Sequence, residues 1–158
     1  MPPVTEMPHK DVPPPLELVK SRIEELLPPA AKEEIDSGEV VLVDVREPDR
    51  FEQGHLAGAI NLTSGESARG SHEASYAEAI EQQAGGRDKR VILYCGEGNR
   101  SARTADALRN EHGFADVASI IGGAKLWTDL EFPVEGEIAV GADDAELGVG
   151  EDLEGDTT

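Results

Sequence analysis

Runs of consecutive, mostly apolar positions punctuate the chain at residues 40–45, 59–62, 91–94 and 117–121, each short, rich in Val, Ile and Leu, and followed by polar or glycine-containing segments. Such runs lack the alternation of a half-exposed strand and predict strands covered on both faces. Between them the period lengthens to that of helices. Residues 30–37 predict a helix stopped by Gly38, residues 76–84 one ended by Gly85 and Gly86, and residues 101–112 one capped by Gly113. Near the start, Leu16, Val19, Ile23, Leu26 and Leu27 recur at helical spacing, which predicts an amphipathic helix over residues 16–27 ended by Pro28 and Pro29. Residues 63–75, rich in Ser, Gly and Glu, predict a long loop. Strands alternating with helices indicate an α/β domain, a central mostly parallel sheet flanked by helices.

Cys95, the only cysteine, directly follows the run at 91–94. Gly96 and Gly98 free the backbone to curl, and a helix starting at Ser101 aims its first N–H groups back at the sulfur. Unpaired amides, the positive helix end and the Arg100 guanidinium all favour negative charge. The segment Cys95-Gly96-Glu97-Gly98-Asn99-Arg100-Ser101 therefore predicts a thiol of lowered pKa, nucleophilic near neutral pH. A solitary cysteine at a strand end is by itself more often a buried hydrophobe. That plain reading has no use for the two glycines, the arginine or the helix start, whereas an anion-binding nucleophile uses each of them.

At this point the sequence resembles the rhodanese-like sulfurtransferases. The residues that carry the resemblance are Val41-Leu42-Val43-Asp44-Val45-Arg46-Glu47, the glycine–histidine turn from Gly54-His55 to Asn61, the loop from Cys95 to Ser101, and Gly122-Gly123-Ala124-Lys125-Leu126-Trp127 with Phe132-Pro133-Val134. The match spans residues 30–135, with its motifs in family order. It implies a rhodanese-like three-layer sandwich with about five strands in its central sheet. It also implies sulfur transfer in two steps, in which Cys95 takes a sulfane sulfur from a donor such as thiosulfate or a persulfide and then yields it to an external thiophile. Amides of residues 96–101 would stabilise the anionic persulfide. Cys-based phosphatases of the same fold use a loop one residue longer and carry a histidine before the cysteine. Here four residues, Gly96 to Asn99, separate Cys95 from Arg100, and Tyr94 precedes the cysteine.

The resemblance assigns Asp44 and Arg46 to bracing the active-site loop. Arg100 fits two roles, binding the donor's charge or clamping the loop as a guanidinium fork. Glu97 sets a carboxylate among the amides, which disfavours a dianionic donor unless it points into solvent. Arg103 either offsets Glu97 or lies on a solvated helix face. His55, between Gly54 and Gly58, is expected to hold turn geometry rather than a catalytic proton. Trp127 is expected in the core, with a place at the mouth of the site as the sharper option.

A single cysteine cannot resolve its own persulfide through an internal disulfide. The acceptor must come from outside: cyanide, glutathione, thioredoxin or a partner cysteine. Neither a disulfide scaffold nor a metal site is expected, because His9, His55, His72 and His112 are scattered; no cofactor is expected either. The net charge of −19 disfavours nucleic acid and anionic membranes as partners. No apolar run approaches the roughly 20 residues that span a bilayer, and the start lacks a secretory pattern, so a cytoplasmic location is expected. The chain divides into a Pro-rich disordered arm (1–15), an N-terminal helical extension (16–29), the rhodanese domain (30–135) and an acidic disordered tail (136–158) without Lys or Arg. The extension packs on the domain or forms a dimer contact; the tail serves solubility, a basic partner or a salty habitat. The competing functional class is a non-catalytic rhodanese-like module that binds a partner or senses oxidants.

Overall fold

The computed structural model describes residues 14–64 and 74–138. Along the chain run α1 (Leu16–Ser21), β1 (Glu24–Leu26), α2 (Pro28–Ser37), β2 (Val41–Asp44), α3 (Pro48–Gln53), β3 (Gly54–Leu56) and β4 (Ile60–Asn61). There follow α4 (Ala74–Ala84), β5 (Val91–Tyr94), α5 (Asn99–Glu111), β6 (Val117–Ile120), α6 (Gly123–Asp129) and β7 (Val134–Gly136). The main sheet is parallel throughout, in the order β1-β6-β5-β2-β4, and β3 pairs antiparallel with β7 in a small second sheet.

Both faces of the main sheet are covered because consecutive side chains point to opposite sides of each strand. Val43, Val45, Val91, Leu93, Cys95 and Val117 pack with Ala77 and Ile80 of α4 and Ala105 and Leu108 of α5. Leu42, Ile92, Tyr94 and Ile120 pack on the other side with Ala31 of α2 and Ala124 and Trp127 of α6. Helices, sheet and helices thus form the three expected layers.

The register aligns Asp44 with Tyr94 and Leu93 with Ser119, so the carboxyl ends of β2, β5 and β6 finish near one edge. From β2 the chain builds outward to β4 and then returns to lay β5 and β6 on the other side. The β2/β5 boundary is therefore the point where strand order reverses, the place where open parallel sheets form their sites. At the opposite edge Arg90 donates to Glu24, Glu34 and Asp116, tying together β1, α2 and the start of β6. Among the described residues no helix is long and apolar enough to cross a membrane.

The expected helix over residues 16–27 is half right. It stops at Ser21, and residues 24–26 form an edge strand on β6. Val19 and Ile23 do pack inward, but Leu27 stays exposed, so the stripe does not run along one buried helical face. At the turn, Arg22 donates through Nε and Nη2 to the two carboxylate oxygens of Asp106 in α5, at 2.7 and 2.8 Å. The open edge of β6 then offers backbone partners that two glutamates could not advertise in the sequence. The main sheet consequently begins inside the span expected as an N-terminal extension. Strands β3 and β7 and helices α3 and α6 were not anticipated. The arm at 1–13, most of the loop at 63–75 and the tail from residue 139 lie outside the described residues, while Glu135 and Gly136 belong to β7.

Candidate active site

Cys95 is the residue immediately after β5, at the carboxyl edge where strand order reverses, and its side chain is 0% exposed. Strand alternation sends it toward the α4/α5 layer, on the same side as Val91 and Leu93. The backbone then curls so that the amides of Gly98 and Ser101 donate to Sγ at 3.1 and 3.3 Å. Ser101 Oγ lies 3.4 Å from the sulfur. Two main-chain donors converging on one sulfur stabilise its anionic form.

The peptide oxygens of the loop face the other way. The carbonyls of Cys95 and Gly96 accept from the amides of Ala124 and Lys125, at 2.8 and 2.9 Å, in the first turn of α6. Two glycines make this interleaving possible. Gly98 sits at φ 100°, and a Cβ on it would approach Gly122 N to 3.0 Å. Gly123 sits at φ 55°, where a Cβ would run into the Cys95 and Gly96 carbonyl groups. Both conformations suit glycine, and the second contact leaves no room for any side chain.

Arg100, in the first turn of α5, clamps the loop from the side. Nη1 and Nη2 donate to the two Glu47 oxygens at 3.0 Å each, and Nε donates to Ser64 Oγ at 3.1 Å. The guanidinium holds the Glu47 carboxyl below the ordinary carboxylate range, against the upward push of burial. Of the two roles open to Arg100, the clamp is the one with visible partners.

Asp44 and Arg46 lie beneath, on the opposite face of the sheet from the sulfur. Arg46 Nε and Nη2 donate to the Asp44 carboxylate, and Nη2 also donates to the Gly54 carbonyl at 2.7 Å. Tyr94 donates its hydroxyl to Asp44 Oδ2 at 2.7 Å and accepts from the Leu56 amide at 3.0 Å. The pair therefore grips the residue before the cysteine. Burial pushes the Tyr94 hydroxyl well above its ordinary pKa, with the Asp44 charge adding to the effect, so it remains a donor.

Glu97 is half-buried at the centre of the loop, and Asn99 opens α5. Arg103 donates to the Pro14 carbonyl. His55 has Nδ1 2.8 Å from the Phe51 carbonyl, its ring stacked on Phe51, and Nε2 3.3 Å from Glu135, all contacts that fix the turn. Trp127 is in the core, donating to the Pro133 carbonyl and meeting Phe132 edge-on. The sequence reading missed Glu47, Ser64, Tyr94 and Ser119 as site residues. Glu47 stood in a quoted motif, and Ser119 was a polar residue inside a buried strand; Ser64 carried no signal.

A family model for the Rhodanese-like domain matches residues 27–130. The chain is 36% identical over 86 residues to the uncharacterized protein YqhL of Bacillus subtilis, covering 54% of this chain and 59% of that one. It is 33% identical over 101 residues to the thiosulfate sulfurtransferase GlpE of Pseudomonas syringae, covering 64% of this chain and 84% of that one. A solved structure from Rhodopseudomonas palustris, described as a protein of unknown function and possible tyrosine phosphatase, superposes with a TM-score of 0.63 at 32% identity. That match covers 85% of this chain and 99% of the other.

Proposed function

Because this chain belongs to the Rhodanese-like domain family, we propose that it works as a sulfurtransferase with Cys95 as nucleophile and residues 96–101 as the persulfide-binding loop. The observation that carries this reading is the convergence of the Gly98 and Ser101 amides on Sγ. In the first step the Cys95 thiolate attacks the outer sulfur of a donor. A new S–S bond forms, the donor's own S–S bond breaks, and its electron pair leaves on the remainder, sulfite when the donor is thiosulfate. In the second step an external thiophile attacks the terminal sulfur of the persulfide, and the electron pair of that S–S bond returns to Cys95 as thiolate. Cyanide gives thiocyanate; a thiolate gives a new persulfide.

The same amides serve both anions without reorganising, because thiolate and persulfide place negative charge on or next to Sγ. Arg100 holds the loop through Glu47, and Asp44 with Arg46 supports it from below through Tyr94. Phosphoryl transfer is the weaker reading for this loop. Four residues between Cys95 and Arg100 draw a ring suited to one sulfur, and all three nitrogens of the guanidinium already hold protein oxygens.

One observation favours the non-catalytic alternative: Cys95 has no exposed surface, so donors reach it only when the site opens. Incubation with thiosulfate and cyanide separates the two. Transfer yields thiocyanate, and intact mass shows one added sulfur that Cys95→Ser abolishes. Absence of product and adduct with thiosulfate and with organic persulfides would leave a binding module.

A further inference from the structure

Ser119 is a polar side chain that the core has no packing reason to contain. It sits in the middle of β6, two residues after Val117 and therefore on the same side of the sheet, and it is 0% exposed. Its Oγ is 2.8 Å from Ser101 Oγ, and Ser101, equally buried, has its Oγ 3.4 Å from Cys95 Sγ. Sulfur and two hydroxyls thus form a short buried chain.

The direction of that chain follows from counting protons. Each hydroxyl has one hydrogen to give and two lone pairs. Ser119 Oγ has the Ser101 hydroxyl as its hydrogen-bond partner, and among the described residues no other. Were Ser101 to donate to Ser119, the Ser119 hydrogen would be stranded in a dry interior, which is costly. As a thiol the sulfur donates to Ser101 Oγ; as a thiolate it has no proton to give, and Ser119 donating to Ser101 then places both hydroxyl hydrogens, the Ser101 hydrogen turning toward Sγ. That hydroxyl then joins the Gly98 and Ser101 amides as a donor to the sulfur.

We propose that Ser119 is a positioning residue that fixes the Ser101 hydroxyl as a donor to Cys95, biasing the sulfur toward its thiolate and persulfide forms. The inference rests on Cys95 being the reactive sulfur. It assigns Ser119 no contact with substrate; its effect passes entirely through Ser101.

Because Cys95 is the sole thiol, the pH dependence of its alkylation by iodoacetamide reads thiolate formation directly. In Ser119→Ala the apparent pKa rises by about one unit, a roughly tenfold loss of thiolate well below that pKa. The same substitution made on Ser101→Ala produces no further rise. Ser119→Thr and Ser119→Val, equal in volume and different in the hydroxyl, repeat the comparison should alanine fail to fold, with the threonine variant keeping the lower pKa. An unchanged profile without the hydroxyl overturns the proposal, as does an equal rise in the Ser101→Ala background. The measurement needs no sulfur donor, so it stands even if every donor fails to load the cysteine and sulfur transfer itself is refuted.

Discussion

Glu47 and Arg100 meet as a two-pronged ion pair, each carboxylate oxygen 3.0 Å from its own guanidinium nitrogen. One residue precedes α3 and the other lies in the first turn of α5, so the pair closes a distance of 53 residues in sequence across the face of the cysteine loop. Paired geometry of this kind fixes orientation as well as proximity.

Removing that pair is expected to change both loop and acid stability. Arg100 lowers the Glu47 pKa below its unfolded value of 4.5, so the pair's contribution is complete above that value and is lost as pH falls through the lower folded value. Glu47→Gln should therefore flatten the low-pH limb of a melting-temperature profile and leave the limb above about pH 6 parallel to the parent. Thiocyanate production should fall because the loop loses its lateral tie. An unchanged acid limb would count against the pair.

Gly123→Ala places a methyl group into the carbonyls of Cys95 and Gly96 at a backbone angle that disfavours side chains. The α6 turn must retreat from the loop, and its amides lose the two carbonyls they hold. A loss of about 1–3 kcal/mol in urea unfolding is expected for strain of this type, together with slower alkylation of Cys95. A fully stable variant with normal alkylation would show that this contact is dispensable.

Tyr94→Phe removes a hydroxyl that is both donor and acceptor. Asp44 loses its contact at 2.7 Å and the Leu56 amide loses its acceptor in a buried place. Urea unfolding should report about 1–3 kcal/mol of destabilisation, the usual cost of stranding a buried polar group. Thiocyanate production should drop by less than in Glu47→Gln, since the loop keeps its own amides.

Much of this arrangement was legible in the residues. Continuous apolar runs located β2, β4, β5 and β6, and the glycines around Cys95 marked a backbone that had to turn. What escaped were contacts between distant segments. Residues 24–26 read as helix because a three-residue edge strand has too few positions to display a period, and Leu26 and Leu27 fall equally well on a helical stripe. Strands β3 and β7 each span three residues and exist because they pair with one another; neither shows an apolar run. Glu47 and Ser64 are ordinary polar residues until the fold brings Arg100 to them. Ser119 was the recoverable case, a hydroxyl at an inward position where strand packing wanted a hydrophobe.

The carbonyls of Cys95 and Gly96 are held by amides that lie nearly thirty residues further along the chain. During synthesis, then, Cys95 emerges well before the contacts that hold its loop are complete. A nascent polypeptide halted at Ile121 carries the thiol but not the turn that aims the amides inward, and its sulfur should react like that of free cysteine. The surroundings of Cys95 are thus completed late, with the β6–α6 connection, and a chain lacking that connection should show the alkylation profile of an unstructured cysteine.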